Sequence, residues 1–592
     1  MTLGHPGWLD RTDRVAWRWW FALAILFAAV GGGLSLAEGF GGEFVVQDDA
    51  RQHVFWTRRY ADPELFPGDA AADYFQSVAP LGYRALYAQA AAFGLDPVAF
   101  AKAVPAMLGL LCGLFAFLLA ARLTGLPAAS FAVSWVVTQN IWILDDVSSA
   151  TPRAFLYPFL LAFLYFLIRR AWLGVGLSVA LLGLFYPQIA LVAGGVAGLS
   201  LIRFDRGRPS WPDDARLARA GLVGVAVTIA VVGAYAAQNG AYDPVVSRAE
   251  AAAMPEFHEG GRATFFRDDA VTYWACGRSG LFPKEWCEAR DEYWYGVPAL
   301  VLPLAVLIGL LSVPFWLRRA RTAHGDPVVT ADVHILWRLL VVSVGLYAAA
   351  HVLLFTLHLP NRYSAHSMRL IADIGMGLGL WWLARRALAA ARRRVWSRWP
   401  ARAGLALIVV LFLGFPVVVD LVGGRVMLNG RFPDLYRFLR ETPKDTVVAS
   451  LTLEASNLPT FGQRGVVAAR EHAIPYHLGY YMPFRARMRT LAEAQFSEDP
   501  AVLVGGLAGL GADYWLVSNN DLDASRVVRR WWARNLPDAG ASAAAALSKG
   551  IDLPIHRARR ECAVWEHRFL TLVSVDCLRE LWDEPSSTPD RG

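Results

Sequence analysis

Apolar residues along this chain come in uninterrupted runs of helical length rather than in amphipathic stripes. A hydrocarbon core of ~30 Å is crossed by about 20 apolar helical residues. Runs of that order lie at 16–38, 100–121, 126–144, 152–168, a short pair at 171–186 and 188–202, then 217–237, 296–317, 333–357, 363–384 and 403–422. The pattern predicts a polytopic α-helical membrane protein with about eleven transmembrane helices.

The stretch "WLGVGLSVALLGLFYPQIALVAGGVAGLSLI" reads either as one long helix or as two short ones broken at "YPQ". Arg169 and Arg170 precede it, and Arg203, Arg206 and Arg208 follow it. These share one side of a membrane only if the chain crosses twice. Arg11 to Arg18, "RRAR" at 318 and "RRALAAARRRVWSRWPAR" from 385 then share that side too, which the positive-inside rule makes the cytoplasm, with the N-terminus there. The first run is followed by "GFGGEF" and not by a small-residue cleavage pattern, so it is expected to stay as an anchor.

This topology gives a transmembrane domain over 1–422 with external loops at 39–99 and 238–295, and a soluble extracytoplasmic domain over 423–592. In the tail, "KDTVVASLTLEASNLPTFGQRGVVAAREHAIPYH" and "GADYWLVSNND" alternate short β-branched or aromatic runs with Gly, Asp and Asn. They read as strands of a mixed α/β domain. "DPAVLVGGLAGLGADYWLV" reads as a helix feeding a buried strand. The Ala-rich 539–547 reads as a linker or surface helix.

Composition agrees with the class. The 592 residues are 55% hydrophobic and only 18% charged, and the 23 tryptophans suit a protein with two membrane–water interfaces. The net charge of +7 would suggest nucleic acid in a soluble protein. Here the excess arginine sits between apolar runs, so orientation explains it and no nucleic-acid partner is expected. Cys276 and Cys287 fall in the second external loop, Cys562 and Cys577 in the tail, and Cys112 inside a helix. Two external pairs predict disulfides 276–287 and 562–577.

Carboxylates near span ends carry the chemistry, because charge close to hydrocarbon is costly and is kept for a task. Asp48 and Asp49 follow the first span; Asp145 and Asp146, in "NIWILDDVSSATPRAF", follow the third. Adjacent carboxylates repel, so one of each pair either carries a raised pKa, which suits a general base, or is held ionised by a metal or a substrate cation. The plainer alternative is that each pair caps a helix, and "DDVSSATPR" has an N-cap pattern with Pro in the first turn. In "LHLPNRYSAHSMRL", Arg362, His366 and Arg369 stand at i, i+4 and i+7, one helix face with three potential phosphate ligands; the alternative is lipid-headgroup anchoring. His53 and Arg153 lie beside the acidic pairs, and Arg153 could also simply neutralise Asp145 or Asp146. The loop after "DDARQH" mixes aromatics with Arg and Asp and predicts short helices on the membrane surface.

With these motifs the chain resembles the GT-C superfamily of membrane glycosyltransferases, which use polyprenyl-linked sugars. "QDDARQH" stands where that family places an acidic residue after the first span, "LDDVSSATPR" where it places a second acidic motif, and "PNRYSAHSMR" where it places a basic carrier-phosphate site. The resemblance implies Asp48 or Asp49 as the group that deprotonates or orients the acceptor, with Asp48 favoured by position. It further implies Arg362 and Arg369 on the phosphate, and Asp145 and Asp146 on a divalent cation (magnesium or manganese) or on the donor. The chain departs from the oligosaccharyltransferases of that family at "RRWWAR", 529–534, which lacks the Asp of their WWD-type motif and puts Asn-linked protein glycosylation in doubt.

The expected function is inverting transfer of a sugar from a polyprenyl-phosphate carrier to a lipid, glycan or protein acceptor at the outer face of the cytoplasmic membrane. A transporter or flippase of a lipid-linked or anionic substrate is the main alternative, and an assembly or sensor protein acting through its tail is a third. Against transport, the charges cluster at one face and no inverted repeat with broken helices is evident.

Overall fold

The computed structural model describes residues 8–583 except 144–145, 206–207, 238–239, 284–285, all of 287–328 but Gly309 and Ser312, 393–398, most of 401–425, and 519 and 521. The expected span 296–317 lies almost wholly, and 403–422 mostly, outside the described residues.

Helices occupy the other expected runs. The first is α1 (Arg14–Gly39); the segment after it holds strand β1 (Val45–Gln47) and helices α2 (Asp48–His53), α3 (Ala70–Val78) and α4 (Leu81–Ala92). Then come α5 (Pro97–Thr124), α6 (Pro127–Asn140), α7 (Leu156–Ile168), α8 (Trp172–Phe185), α9 (Pro187–Leu199), a β2–β3 hairpin (Arg203–Asp205, Arg208–Ser210) and α10 (Ala215–Ala236). The second loop carries α11 (Arg248–Ala253) and α12 (Ala270–Ala275), and α13 (His334–Val352) and α14 (Asn361–Arg392) close the described bundle. Among the described helices, α1, α5, α10 and α13 with its preceding turn are long and apolar enough to cross a membrane.

The termini follow local chemistry. Asp13, Asp96 and Asp214 cap α1, α5 and α10 by accepting backbone N–H groups of the first turn, and α5 stops at Gly125, whose φ of 65° is left-handed. The break between α8 and α9 falls at Tyr186, before Pro187, and the two helices pack as a hairpin. At 1.5 Å per residue α7, α8 and α9 are each only about 20 Å long, against about 39 Å for α1 and about 42 Å for α5.

One end of the bundle is basic. Arg170 bonds Asp214 at 2.9 Å, Arg385 bonds Asp10 at 2.9 Å, and Thr330 donates to the carbonyls of Arg122 and Leu123. The ends of α5, α7 and α14 and the starts of α1, α10 and α13 therefore meet there, as alternate connections on one side require. The short α7–α9 group starts at this level, so its opposite end stops well short of the start of α5.

Trp142, in the connection after α6, is packed into α1 and α5. A Cβ on Gly31 would lie 2.5 Å from its Nε1, and one on Gly109 2.7 Å from its Cζ2. Small residues on both helices let this indole wedge in, and so place the segment that leads to Asp146.

The opposite end is covered by the tail. β1 pairs antiparallel with β4 (Met427–Asn429), and the Asp48 N–H donates to the Val426 carbonyl at 3.1 Å. The tail holds a five-stranded sheet, in order β6 (Gly465–Val466), β5 (Val447–Ser450), β7 (Tyr514–Ser518), β9 (Leu570–Ser574), β8 (Ala563–Glu566). β6–β5–β7 are parallel and β9 and β8 antiparallel, a mixed sheet as expected. The helix Pro500–Gly509 feeds β7, and 539–547 lie within the helix Pro537–Ser548. Cys562 and Cys577 form a disulfide and Cys112 is a buried free thiol. Cys287, the expected partner of Cys276, lies outside the described residues. A second core joins Phe257 and Phe265 of the second loop to Phe355 and Leu359 of the late hairpin and Tyr476 of the tail.

Candidate active site

Both early acidic connections reach one place. Gln47 ends β1 and caps α2 by accepting the N–H groups of Asp49 (2.8 Å) and Ala50 (3.3 Å), which sets Asp48 and Asp49 in its first turn. Asp48 turns to Arg51 on the same helix and forms an ion pair with it. Asp49 turns the other way and accepts from Arg153 Nη2 at 2.7 Å. The same guanidinium places its Nε 3.5 Å from Asp146 Oδ1, so Arg153 bridges the two connections. Asp145 lies outside the described residues.

The late helix closes the cluster. Arg369, on α14, forms an ion pair with Asp146 Oδ2, and its Nη1 donates to the Tyr157 hydroxyl at 3.0 Å. Tyr157 stands at the start of α7 and donates to Asp146 Oδ2 at 2.8 Å, with His366 Nδ1 3.0 Å away. Asp146, His366 and Arg369 are all buried. A tyrosine thus organises one carboxylate, one imidazole and one guanidinium from two other segments of the chain.

Arg362, two turns before Arg369, is placed differently. Among the described residues its side chain makes no hydrogen bond or ion pair, and it lies among other cations. His358 is pushed from 6.5 to about 3, first by burial and then by Arg362, His477 and Arg278. His53 is likewise held near 3, by burial and then Arg153 and Arg262, with Arg362 adding to it. Burial presses Arg278 below the usual arginine value; Tyr476, whose hydroxyl it meets at 2.9 Å, opposes this, and Arg262 and Arg362 add to it. The neutral imidazoles and crowded guanidiniums make this corner short of negative charge.

The tail supplies Glu471 on the other flank. Burial raises its carboxyl, but Arg262, Arg51 and Arg470 more than reverse this and hold it below its ordinary value. It pairs with Arg262 and lies 3.9 Å from Arg51, which in turn bonds Asn457 at 2.8 Å.

Sequence reasoning therefore missed Arg51, Tyr157, Arg262, Arg278 and Glu471. It also passed over Asp373, one turn beyond Arg369, which accepts from Asn140 Nδ2 on α6 and whose second oxygen is buried with no hydrogen-bond partner among the described residues. A carboxylate inside the 363–384 run was a visible signal.

Among the described residues no three His, Cys, Asp or Glu side chains group as metal ligands. The described half of the expected pair, Asp146, has both oxygens engaged by guanidiniums and a phenol. The described part of that donor set, crowded by two guanidiniums, does not suit a divalent ion.

No protein-family profile matches this chain, and no curated protein sequence matches it. Among solved structures it is similar to the archaeal oligosaccharyltransferase AglB from Archaeoglobus fulgidus in complex with an inhibitory peptide and a dolichol-phosphate. The identity is 12% and the TM-score 0.51, over 88% of this chain and 72% of that one. The chain has the GT-C fold. The Archaeoglobus fulgidus oligosaccharyltransferase tethered to an acceptor peptide with the NVT sequon aligns at 10% identity and TM-score 0.47, over 89% and 72% of the two chains. With its apolar helices, the GT-C fold makes this a membrane protein.

Proposed function

We propose that the chain is an inverting glycosyltransferase that moves a sugar from a polyprenyl-phosphate carrier to an acceptor at the outer face of the cytoplasmic membrane. The carrying observation is the convergence of Asp49, Arg153, Asp146 and Arg369, from three distant segments, at the end of the bundle opposite the basic one. The shortness of α7–α9 supports a site sunk toward headgroup depth, where a lipid-borne donor presents its phosphate. The dolichol-phosphate held by AglB supports a lipid-linked donor. In this reading the bundle crosses the membrane about eleven times over 1–422, and the domain over 423–592 is extracytoplasmic.

The acceptor hydroxyl oxygen attacks the anomeric carbon while the bond from that carbon to the phosphate oxygen breaks. The bonding pair leaves on the phosphate and the hydroxyl proton passes to a carboxylate. Asp49 is better placed than Asp48 to take or orient that proton, because Asp49 faces Asp146 across Arg153 while Asp48 is turned to Arg51. Positive charge growing on the sugar is met by Asp49 and Asp146, and negative charge growing on the phosphate by Arg362 and Arg278. His53 and His366, both beside these groups, are proposed to hydrogen-bond the sugar or phosphate. The acceptor is a lipid, a glycan or a protein.

The test is transfer by purified protein from a radiolabelled polyprenyl-phosphate sugar, with Asp49→Asn and Asp48→Asn alongside. A loss of ~10² to 10³ in rate for Asp49→Asn is expected. Undiminished transfer by both variants removes the base, and sealed-vesicle flux without transfer favours a transporter.

A further inference from the structure

We propose that Arg153 is the resident cation of this site, taking the place that a divalent metal ion would hold between Asp49 and Asp146, so that transfer needs no metal. The inference rests on the glycosyltransferase reading for its chemistry but on the donor set for its geometry.

Arg153 reaches Asp49 Oδ2 through Nη2 at 2.7 Å and Asp146 Oδ1 through Nε at 3.5 Å. The remaining oxygen of Asp146 is taken by Arg369 and by the Tyr157 hydroxyl at 2.8 Å. Asp48 is held by Arg51, and Glu471 by Arg262. Asp48, Asp49, Asp146 and Glu471 therefore each already have a guanidinium partner.

Magnesium needs about six oxygens in near-octahedral array at ~2.0 to 2.1 Å. To enter here it would have to displace Arg153 and then sit beside that displaced cation and Arg369. Arg153 is only 15% exposed at its side chain, so the displaced charge has little water to retreat into. A guanidinium suits the position: it is charged at every working pH, and its planar fork reaches two carboxylates at once. It can hold both acids ionised and at a fixed spacing while a cationic sugar forms beside them. Arg153 follows directly from Thr151–Pro152, where a short 3-10 turn leads into α7, so the backbone that carries it is braced by the same helix that carries Tyr157.

The test reads metal binding as well as turnover. Detergent-purified full-length protein is titrated with Mn²⁺ and followed by electron paramagnetic resonance, and sugar transfer is measured with and without excess EDTA. Wild type is expected to bind no stoichiometric Mn²⁺ and to transfer at the same rate in EDTA. Arg153→Met keeps the stem and removes the charge; it is expected to gain a Mn²⁺ site that Asp146→Asn in the same chain abolishes. A wild-type Mn²⁺ site lost in Asp49→Asn or Asp146→Asn overturns the proposal, whatever the protein's activity. An Arg153→Met protein that melts cooperatively in a thermal-shift assay yet binds no Mn²⁺ overturns the assignment to Arg153. Failure of the glycosyltransferase reading is read separately, as absence of transfer with the Mn²⁺ result intact.

Discussion

Arg51 Nη1 donates to Asn457 Oδ1 at 2.8 Å, across 406 residues of sequence, while the other face of the same guanidinium holds Asp48. The helix that carries Asp48 and Asp49 is therefore tied to the C-terminal domain by a charge-assisted bond. Arg58, donating to the Thr460 carbonyl at 2.5 Å, makes a second tie. Asn457→Ala should cost about 1.5 to 3 kcal/mol, as loss of a hydrogen bond to a charged group. It should also lower the transfer rate by loosening α2. Thermal-shift midpoints and transfer assays on one preparation check both, and unchanged values would mean that the tail does not position the acids.

Gly109, like Gly31, lies in close contact with Trp142 behind the second acidic connection. Gly109→Val must push Trp142, and overpacking of this kind costs about 1 to 3 kcal/mol or more. Because Trp142 leads into the Asp146 segment, transfer should fall further than stability. Gly33→Ala, on the same helix as Gly31 but with nothing within 4 Å of its new Cβ, is the matched control and should be close to neutral or slightly stabilising.

The spans were legible because hydrocarbon demands long apolar runs, and Asp48, Asp49, Asp146, Arg153, His366 and Arg369 were legible because charges at span ends are rare. What those charges touch was not. Arg153 read equally well as a substrate ligand or a local neutralising charge, and only its contacts with Asp49 on α2 and with Asp146 show it bridging the two connections. Glu471 and Arg278 sit in loops rich in charge, where nothing in spacing sets one residue apart, and they become site neighbours through the second core around Phe257, Phe355 and Tyr476. Tyr157 reads as one more aromatic in "FLYPFLLAF" until Asp146 and Arg369 are seen on its hydroxyl. The three-residue β1 was hidden because its partner, β4, lies at the far end of the bundle sequence.

His472, 1% exposed and stacked on Phe55 at 5.2 Å, has its pKa brought from 6.5 to about 4, first by burial, with Glu471 opposing. Its folded-state value is depressed, so the unfolded chain binds the proton first. The stabilising contribution is complete above pH 6.5 and is lost as pH falls toward 4; for this residue alone it is of order 3 kcal/mol. His53 and His358 act in the same direction. Melting temperature should fall between pH 7 and 5, and His472→Phe, which keeps the aromatic stack, should flatten that slope. A wild-type melting temperature level over this range would remove the argument.

The Cys562–Cys577 bridge closes a loop of 15 residues that joins β8 to the helix after β9. In the chain-entropy account such a loop is worth about 3 kcal/mol. Cys577→Ser should lower the stability of the tail by roughly that amount in a denaturant titration, and dithiothreitol should reproduce the loss in wild type and not in the variant. Equal stability of wild type and variant under oxidising conditions would count against the bond.

Arg278 and Arg362 crowd each other with no carboxylate paired to either among the described residues, so their removal should move stability and activity in opposite directions. With no anion bound, Arg278→Gln relieves like-charge repulsion and should leave the ligand-free protein as stable as wild type or up to about 1 kcal/mol more so. In the transfer reaction the same change removes a cation from the departing phosphate and should reduce kcat/KM by ~10². Arg362→Ala should do the same, and Arg362→Lys, which keeps the charge but not the planar fork, should recover part of the rate. Inorganic pyrophosphate should raise the melting temperature of wild type and have less effect on either variant. A variant destabilised without ligand and unimpaired in transfer would reverse both signs and place the carrier phosphate elsewhere, with Arg369 and His366 the next groups to test.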